Sequence, residues 1–336
     1  MNYKRLGNSG LKVSPICLGT MMFGGRTTEA GSGKIIASAR DAGINFIDTA
    51  DVYVKGESER IVDKFIRRDR DHWVLATKVY GAMGSGPNDR GLSRKWILRA
   101  VENSLTRLKT DYIDICYLHK EDDGTPLEES IRAIGDLIRA GKIRYWGVSN
   151  FLGWRTALLV SLADQMGVPR PVVHQPYYNA ANRMPEQEIL PACRHFGLGV
   201  VPYSPLARGV LTGKYGDKLK AAKGTRAGAN DKRMMETEWR QENLVMAQTI
   251  KEHAEKRGMT AGQFALGWVL NNEIITSVLA GPRTMGQWKE YLGALKHAFT
   301  AEDEALVDSL VPTGHPSTPG YSDPQYPFTG RQPKSS

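Results

Sequence analysis

Eight short apolar segments recur along the chain, and each is followed by a segment with the residue spacing of an amphipathic helix. The apolar segments are ICLGT (16–20), NFIDTA (45–50), WVLATK (73–78), YIDICYLH (112–119), IRYWGVSN (143–150), VVHQ (172–175), LGVVPYS (198–204) and ITSVLAG (275–281). Near-continuous apolar strands that alternate with helices are typical of a parallel sheet covered by helices. The pattern therefore predicts an α/β protein.

The number of strand and helix units favours a closed barrel over an open sheet. Eight units over about 260 residues match a (β/α)8 barrel of the TIM type, which typically has ~250 residues. An open doubly wound sheet would carry a G-x-G-x-x-G fingerprint after a strand, whereas GSGPNDRG (84–91) has a proline and the wrong spacing. We expect one domain over residues 1–336, with the barrel at about 16–298 and a C-terminal helix and tail at 299–336.

Three segments lie outside the repeating pattern. Residues 3–6 and 11–13 around a glycine-containing turn predict an N-terminal β-hairpin. Residues 207–240, after the seventh strand, are rich in Lys, Arg and Gly, too polar to pack, and predict a surface loop or a mobile lid. The tail from Pro312 is rich in proline but keeps three aromatic residues, so we expect it to lie against the barrel. These aromatic residues are Tyr321, Tyr326 and Phe328.

The charge of the chain does not require nucleic acid as a partner. The formal net charge is +9, from 45 Lys and Arg against 36 Asp and Glu. The basic residues are scattered among acidic ones, without a basic run or an interleaved aromatic platform. A small anionic ligand, such as a nucleotide phosphate, accounts for the excess equally well, and we expect no nucleic-acid binding.

Membrane, disulfide and metal sites are also not predicted. No stretch approaches the ~20 apolar residues needed to span a bilayer, and the N-terminal MNYKRLGNSGLKV has no apolar signal-peptide core, so a cytoplasmic location is expected. Cys17, Cys116 and Cys193 are widely spaced and predict buried small hydrophobes. The acidic residues after His119 have no second histidine at ligand spacing, so we expect no metal.

Polar residues stand at the ends of nearly all the predicted strands. They are Asp48, Lys78, His119, Ser149, Asn150, Gln175, Tyr203 and Ser204. A polar residue after a strand usually only begins a loop, but in this kind of barrel the carboxyl ends of all strands meet at one face, where active sites lie. Tyr53 follows Asp48 by five residues and could fold back over the same opening.

Four of these residues suit acid–base chemistry on a carbonyl or an alcohol. The ordinary pKa of tyrosine, near 10, is too high for proton exchange at neutral pH, and an adjacent ammonium group such as Lys78 would lower it. Asp48 could pair with Lys78, and His119 could hydrogen-bond a substrate oxygen. The alternative at this stage is a buried Asp48–Lys78 ion pair against which Tyr53 merely packs.

Seven further motifs connect the chain to a known family. In order and spacing, the chain resembles the aldo-keto reductase superfamily, in its bacterial and potassium-channel β-subunit-like branch. The resemblance is carried by FIDTADVY (46–53), LATK (75–78), YLH (117–119), GVSN (147–150), HQPYYN (174–179), YSPLARGVLTGKY (203–215) and GPRTMGQWKEYLGAL (281–295). It implies the same barrel, a nicotinamide cofactor, and a catalytic tetrad of Asp48, Tyr53, Lys78 and His119 with Tyr53 as proton donor.

The resemblance also implies the cofactor contacts. Ser149, Asn150 and Gln175 would hold the nicotinamide carboxamide, and Tyr203 would stack on the ring. The loop after the seventh strand would wrap the pyrophosphate, and Arg283, Thr284 and Gln287 would hold the adenosine 2′-phosphate, which favours NADPH over NADH. The remaining implied contacts are Gly19, Thr20, Met21, Asp48, Ser204, Pro205, Leu206, Ala207, Gly209, Lys214, Gly281 and Glu290. Tyr291 replaces the usual Asn, so NADH remains a weaker possibility.

The first function hypothesis is therefore an NADPH-dependent reductase that converts an aldehyde or a ketone to an alcohol. The alternatives are a nucleotide-sensing regulatory subunit similar to potassium-channel β subunits, and a cofactor-free barrel isomerase or lyase. The sequence identifies neither the carbonyl substrate nor the oligomeric state. The substrate pocket is expected to include Phe23, Tyr53, Tyr80, His119 and Tyr321.

Overall fold

The computed structural model describes residues 1–221 and 223–327 of the chain. A two-stranded antiparallel hairpin comes first, formed by β1 (Lys4–Arg5) and β2 (Lys12–Val13), as the sequence predicts. Eight parallel strands follow: β3 (Ile16–Gly19), β4 (Phe46–Asp48), β5 (Val74–Val79), β6 (Ile113–Leu118), β7 (Ile143–Ser149), β8 (Val173–Gln175), β9 (Gly199–Val200) and β10 (Val278–Ala280). Seven of them lie within the apolar segments, and β5 extends one residue beyond its segment, to Val79.

The sheet closes on itself into a barrel. Its strand order is β10-β3-β4-β5-β6-β7-β8-β9, so sequential strands are neighbours. The two end strands also meet: Val200 bridges Ile275 in parallel, and the Leu279 N–H donates to the Pro202 carbonyl at 2.9 Å. Closure leaves no open edge, and the predicted (β/α)8 barrel is confirmed.

Helices cover the outside of the barrel. They are α1 (Glu29–Asp41), α2 (Glu57–Ile66), α3 (Arg94–Leu108), α4 (Leu127–Arg139), α5 (Gly153–Gln165), α6 (Ile189–Phe196), α7 (Lys232–Thr237), α8 (Gln241–Lys256), α9 (Ala261–Asn271), α10 (Met285–Ala294) and α11 (Ala301–Leu310). Thr300 caps α11 in a reciprocal capping box with Asp303, as its place before two acidic residues predicts. In the described part of the chain, none of the helices has both the length and the apolar character to cross a membrane.

The hairpin closes one end of the barrel. Leu6 and Val13 are fully buried in one cluster with side chains from the strands, among them Phe46, Ile115 and Tyr117. Gly7 has a φ of +54°, and a Cβ there would lie 2.5 Å from the Gly197 carbonyl oxygen, so the turn needs glycine. Since the hairpin covers the amino ends of the strands, the opening lies at their carboxyl ends.

The long segment after β9 packs over this opening, and the expectation that it is too polar to pack is wrong. It contains a short turn at Ala207–Thr212 and the helix α7. Several of its apolar side chains pack: Met234 and Ala227 are buried, and the rings of Tyr215 and Trp239 lie 5.0 Å apart, while Leu219 is exposed.

The tail also lies on the barrel, as expected, as far as Tyr326. The Ser317 N–H donates to the Ala181 carbonyl, and Arg233 holds Asp323 through two hydrogen bonds of 3.0 and 2.6 Å. The Lys120 ammonium donates to the Gln325 carbonyl at 3.3 Å. Phe328, the third aromatic residue of the predicted contact, lies outside the described residues.

A largely buried arginine, Arg183, makes several of the contacts between the barrel and the C-terminal segment. Arg183 donates to both carboxylate oxygens of Glu186 at 3.0 Å, to Asp308 at 2.6 Å, to the Val311 carbonyl at 2.8 Å and to Thr313 at 3.0 Å. We expect Arg183→Ala to lower the free energy of unfolding by about 2–3 kcal/mol, because it removes a largely buried ion pair with Glu186 and leaves the buried Val311 carbonyl without this donor. Urea denaturation measures this loss.

Arg170→Ala is the matched control for this prediction. Arg170 also makes two hydrogen bonds to a carboxylate, that of Asp164, but both side chains are about half exposed. Exposed pairs contribute little to stability, so a much smaller loss is expected. Equal losses in the two variants would contradict the anchoring role of Arg183.

Candidate active site

Four ionisable side chains converge at the open end of the barrel. Asp48 is the last residue of β4, Lys78 lies near the end of β5, and His119 follows β6 directly. Because β4, β5 and β6 are consecutive neighbours in the sheet, their carboxyl ends bring these side chains together. Tyr53 comes from the turn after β4, and its ring meets the His119 ring edge to face, with centroids 6.1 Å apart.

A fully buried ion pair lies at the base of this group. The Lys78 ammonium donates to the Asp48 carboxylate, to the Thr49 carbonyl oxygen at 2.8 Å and to the Tyr53 hydroxyl at 3.3 Å. The second carboxylate oxygen of Asp48 accepts a hydrogen bond of 3.0 Å from the Gln175 amide. All three donors of the ammonium group are therefore used, and one of them is directed to the phenol oxygen.

Burial determines the protonation states of Tyr53 and His119. Burial raises the pKa of Tyr53 above its ordinary value, and the Lys78 charge lowers it only in part. Lys78 does lower the pKa of Tyr53, as expected. The expectation that the pKa falls below its ordinary value is wrong, because burial raises it by more. Burial and the Lys78 charge together lower the pKa of His119 to about 3. At neutral pH the site holds a neutral phenol and a neutral imidazole.

The Lys78 ammonium keeps its charge in spite of burial. Burial by itself lowers the pKa of Lys78. Electrostatic attraction to Asp48 and Tyr53, together with the hydrogen bonds to both, raises it above its ordinary value. Burial raises the pKa of Asp48, while Lys78 and the hydrogen bond from Gln175 oppose this rise. The positive charge beside the Tyr53 hydroxyl is therefore a stable feature of the site.

A strained turn places Tyr53 over the barrel. Val54 and Lys55 have φ values of +48° and +54°, and Gly56 follows with a φ of +88° before α2 begins. A β-branched residue at positive φ is unfavourable, and such residues persist where the surrounding structure fixes them. Here the Tyr53 N–H donates to the Ala50 carbonyl at 3.2 Å, which holds the ring at the opening.

A second group of polar residues lines the neighbouring strand ends. The Ser149 hydroxyl donates to the Gln175 carbonyl at 2.8 Å, and the Asn150 amide donates to the His119 carbonyl at 2.9 Å. The Tyr203 hydroxyl donates to Asn150 at 2.7 Å. Asn150 and Ser204 have left-handed φ values of +58° and +56°. These side chains are therefore held in fixed positions around one side of the opening.

A cavity of about 810 Å³ connects the tetrad to a cluster of basic residues. Six cations line it: Arg26, Arg208, Lys214, Arg226, Arg233 and Arg283. Burial and the nearby charges of Arg226 and Arg283 lower the pKa of Lys214. Burial and the charges of Arg208 and Arg26 lower the pKa of Arg226. Arg208, Arg226 and Arg233 are each paired with a carboxylate, whereas the charge of Lys214 is disfavoured by two neighbouring arginines, and an anionic ligand would relieve this repulsion.

Most of the predicted cofactor residues line this cavity. They are Gly19, Thr20, Met21, Asp48, Ser149, Asn150, Gln175, Tyr203, Ser204, Pro205, Leu206, Gly209, Lys214, Gly281, Arg283, Gln287 and Glu290. Two lie outside the lining. Ala207 is fully buried beneath it, and the Thr284 hydroxyl caps α10 by accepting from the Gln287 N–H at 3.3 Å. The Thr284 side chain is therefore already used within the protein.

Three of the predicted substrate-pocket residues lie elsewhere, and this part of the sequence interpretation is corrected. Phe23 is fully buried in the hydrophobic core because its loop turns inward. Tyr80 packs partly buried against that core, and Tyr321 lies under the Arg240 guanidinium group at 3.7 Å. Tyr53 and His119 do line the cavity.

The sequence interpretation missed several residues that line the cavity. From the loop after β9 come Arg208, Arg226 and Arg233, and from the tail come Gln325 and Tyr326. The density of Lys and Arg in residues 207–240 was a usable signal for an anion-binding loop. Within the ranges that the structure describes, no group of three or more His, Cys, Asp or Glu is arranged to hold a metal ion.

The chain belongs to the Aldo/keto reductase family, whose model matches residues 15–312. Two plant relatives, each called a probable voltage-gated potassium channel subunit beta, are 37% identical to it. The one from Arabidopsis thaliana aligns over 300 residues, 88% of this chain and 91% of the relative, and the one from Oryza sativa subsp. japonica over 328 residues, 96% and 100%. An uncharacterized oxidoreductase of Bacillus subtilis, YrpG, is 37% identical over 330 residues, 95% of this chain and 98% of the relative.

The neutral state of His119 can be tested by titration. We expect the imidazole NMR signals of His119 and His174 to show no protonation until the pH falls to about 4, because burial lowers their pKa values to about 3 and about 4. His119→Asn and His174→Asn variants assign the signals. A titration of His119 between pH 6 and 7 would contradict this description of the site.

Proposed function

We propose that this protein is an NADPH-dependent oxidoreductase that reduces an aldehyde or a ketone to an alcohol in a reversible reaction, with Tyr53 as the general acid. The observation that carries the proposal is the Tyr53 hydroxyl, 3.3 Å from the buried Lys78 ammonium and facing a cavity whose other end is lined by cations. Membership of the Aldo/keto reductase family implies an oxidoreductase and supports this choice.

The residues present fit a nicotinamide dinucleotide phosphate. Lys214, whose charge Arg226 and Arg283 disfavour, suits a pyrophosphate together with these two arginines, and the group leaves room for a further phosphate. Ser149, Asn150 and Gln175 are placed to hold a carboxamide at the tetrad end, and Tyr203 offers a ring face beside them. Glu290 and Tyr291 line the far end and suit an adenine ring, by hydrogen bonding and by stacking. When bound, the nicotinamide supplies a hydride.

The protein side of the reaction is proton delivery and stabilisation of charge. Tyr53 donates its proton to the oxygen of the reduced carbonyl, and the Lys78 ammonium stabilises the phenolate that remains. Asp48 keeps Lys78 in place. The neutral His119 imidazole can donate a hydrogen bond to the carbonyl oxygen and orient it towards Tyr53. The tail and the loop after β9 cover the cavity and exclude water from these groups.

The relatives named as channel subunits favour a second candidate, a regulatory subunit that senses the nicotinamide nucleotide. In that case the same cavity would bind the cofactor and report its redox state to a partner. The two candidates differ in one property, because only the reductase turns over a carbonyl substrate.

The phenol of Tyr53 provides the test. We expect Tyr53→Phe to lower kcat/KM for carbonyl reduction by about a hundredfold or more, because it removes the hydroxyl group that donates the proton. The affinity for NADPH should change little. The loss of NADPH absorbance with a panel of aromatic, sugar and cyclic carbonyls measures the first quantity, and quenching of protein fluorescence measures the second.

Tyr80→Phe, a tyrosine that does not line the cavity, is the matched control and should keep full activity. Full activity in Tyr53→Phe would exclude Tyr53 as the proton donor. Tight NADPH binding by the wild-type protein, with no turnover of any carbonyl, would favour the sensing subunit.

The preference for NADPH is assigned to Arg283. We expect Arg283→Ala to raise the Kd for NADPH about 10- to 100-fold and the Kd for NADH far less, because a charge-assisted contact to the 2′-phosphate is lost. Lys289→Ala is the control, since it removes an exposed charge from α10, the helix that begins two residues after Arg283, outside the cavity lining. An equal rise for both nucleotides in Arg283→Ala would contradict the 2′-phosphate contact.

A further inference from the structure

A second buried carboxyl group lies two residues before Tyr53. Asp51 is fully buried and is in the turn that carries Tyr53. Its backbone N–H donates to the carbonyl oxygen of Lys78 at 3.2 Å, so this turn is attached to the strand that holds the catalytic lysine. The mechanism described above does not use the Asp51 side chain.

The carboxyl group of Asp51 faces a polar cluster between the barrel and the helices α2 and α3. Glu59 of α2 accepts a hydrogen bond of 2.6 Å from Thr77 and forms an ion pair with Arg107 of α3 at 2.5 Å. Arg107 also donates to the Ser104 hydroxyl at 3.0 Å. Arg107, the cation that the described residues supply to this cluster, is therefore already neutralised by Glu59.

Asp51 has no comparable partner. Within the described part of the chain, neither of its carboxyl oxygens makes a hydrogen bond, although the adjacent Val52 N–H favours the charged form. Burial and the negative charge of Glu59 raise the pKa of Asp51 to about 7, against smaller opposing effects of Arg107 and Lys78. Two further titratable groups nearby are Cys116 on β6 and Tyr53, and a charged Asp51 raises the pKa of both. Asp51 thus changes its charge near neutral pH.

We propose that Asp51 is a positioning residue for carbonyl reduction: as a neutral acid it keeps the Tyr53 turn in its reactive arrangement, and its ionisation slows the reaction. This inference rests on the proposed role of Tyr53 as proton donor. Two effects act in the same direction. An ionised Asp51 is a buried charge without a partner beneath the turn, and its negative charge disfavours loss of the proton from Tyr53.

The pH dependence has a defined sign. The pKa of Asp51 is about 7 in the folded chain and near 3.9 in an unfolded one, so the native state binds the extra proton between these values. The neutral form contributes stability that is fully present below about pH 4 and is lost as the pH rises through about 7. Above that pH, both this stability and the rate of reduction should be lower.

The test compares Asp51→Asn with the wild-type enzyme in two independent measurements. In the wild type, kcat/KM for NADPH-dependent reduction should decrease about three- to tenfold as the pH rises, with the midpoint of the decrease near pH 7. Asp51→Asn should not show this decrease, because its side chain does not ionise. In urea denaturation, the wild type should unfold at a higher midpoint concentration than Asp51→Asn at pH 4. This difference in midpoint should shrink between pH 4 and 7 and stay constant above pH 7.

Two further variants make the test specific. Glu59→Gln removes the charge that disfavours ionisation of Asp51, so the fall in kcat/KM should move to lower pH. Asp63→Asn changes another buried carboxyl of α2, one paired with Arg67, and should leave the position of the fall unchanged. Glu59→Gln keeps Asp51 itself, so it remains informative if Asp51→Asn does not fold.

The outcomes separate this inference from the proposed function. A normal rate in the wild type, with the same pH profile in Asp51→Asn, would overturn the role of Asp51 and leave the reductase intact. A midpoint difference that does not vary with pH would show that Asp51 does not titrate, and would also overturn it. Absence of turnover in the wild type at every pH would overturn both proposals.

Discussion

The buried ion pair between Asp48 and Lys78 imposes the strictest requirement on the structure around it. Two charges removed from water are tolerated only where further hydrogen bonds satisfy them. The barrel provides these from several places: the Thr49 carbonyl, the Gln175 amide of β8 and the Tyr53 hydroxyl. The requirement explains why the turn after β4 accepts a strained Val54, since that turn delivers the Tyr53 oxygen to the ammonium.

The cavity joins two regions with different electrostatics. At the tetrad end, burial keeps Tyr53 and His119 neutral. The charges near the reacting groups there are those of the Asp48–Lys78 ion pair. At the other end, the charges of Arg226 and Arg283 disfavour the charge of Lys214. A ligand that suits both ends carries negative charge at one end and a neutral polar ring at the other, which is the distribution of the reduced nicotinamide dinucleotide phosphate that we propose. The loop after β9 contributes to the charged region, and the tail closes over the cavity.

The barrel and the close approach of the tetrad residues could be predicted because the strand ends follow from the regular alternation of strands and helices along the sequence. Once the eight strands are recognised, Asp48, Lys78 and His119 must share one face. Loop residues follow no such repeat, so Phe23 was placed in the pocket although its loop turns it into the core. Arg226 and Tyr326 reach the cavity through long segments whose paths depend on tertiary contacts. The net pKa of Tyr53 was mispredicted because burial is a property of the folded chain.

Hydride transfer from a stereospecifically deuterated cofactor tests the central claim most directly. The protein is incubated with an aromatic aldehyde and NADPH carrying deuterium on one face or the other of nicotinamide C4, and the alcohol is analysed by mass spectrometry. Because Tyr203 and the residues that would hold the carboxamide fix the ring, deuterium should appear in the alcohol from one of the two labelled forms and not from the other. Tight binding of NADPH with no deuterium in the product from either form would contradict the account.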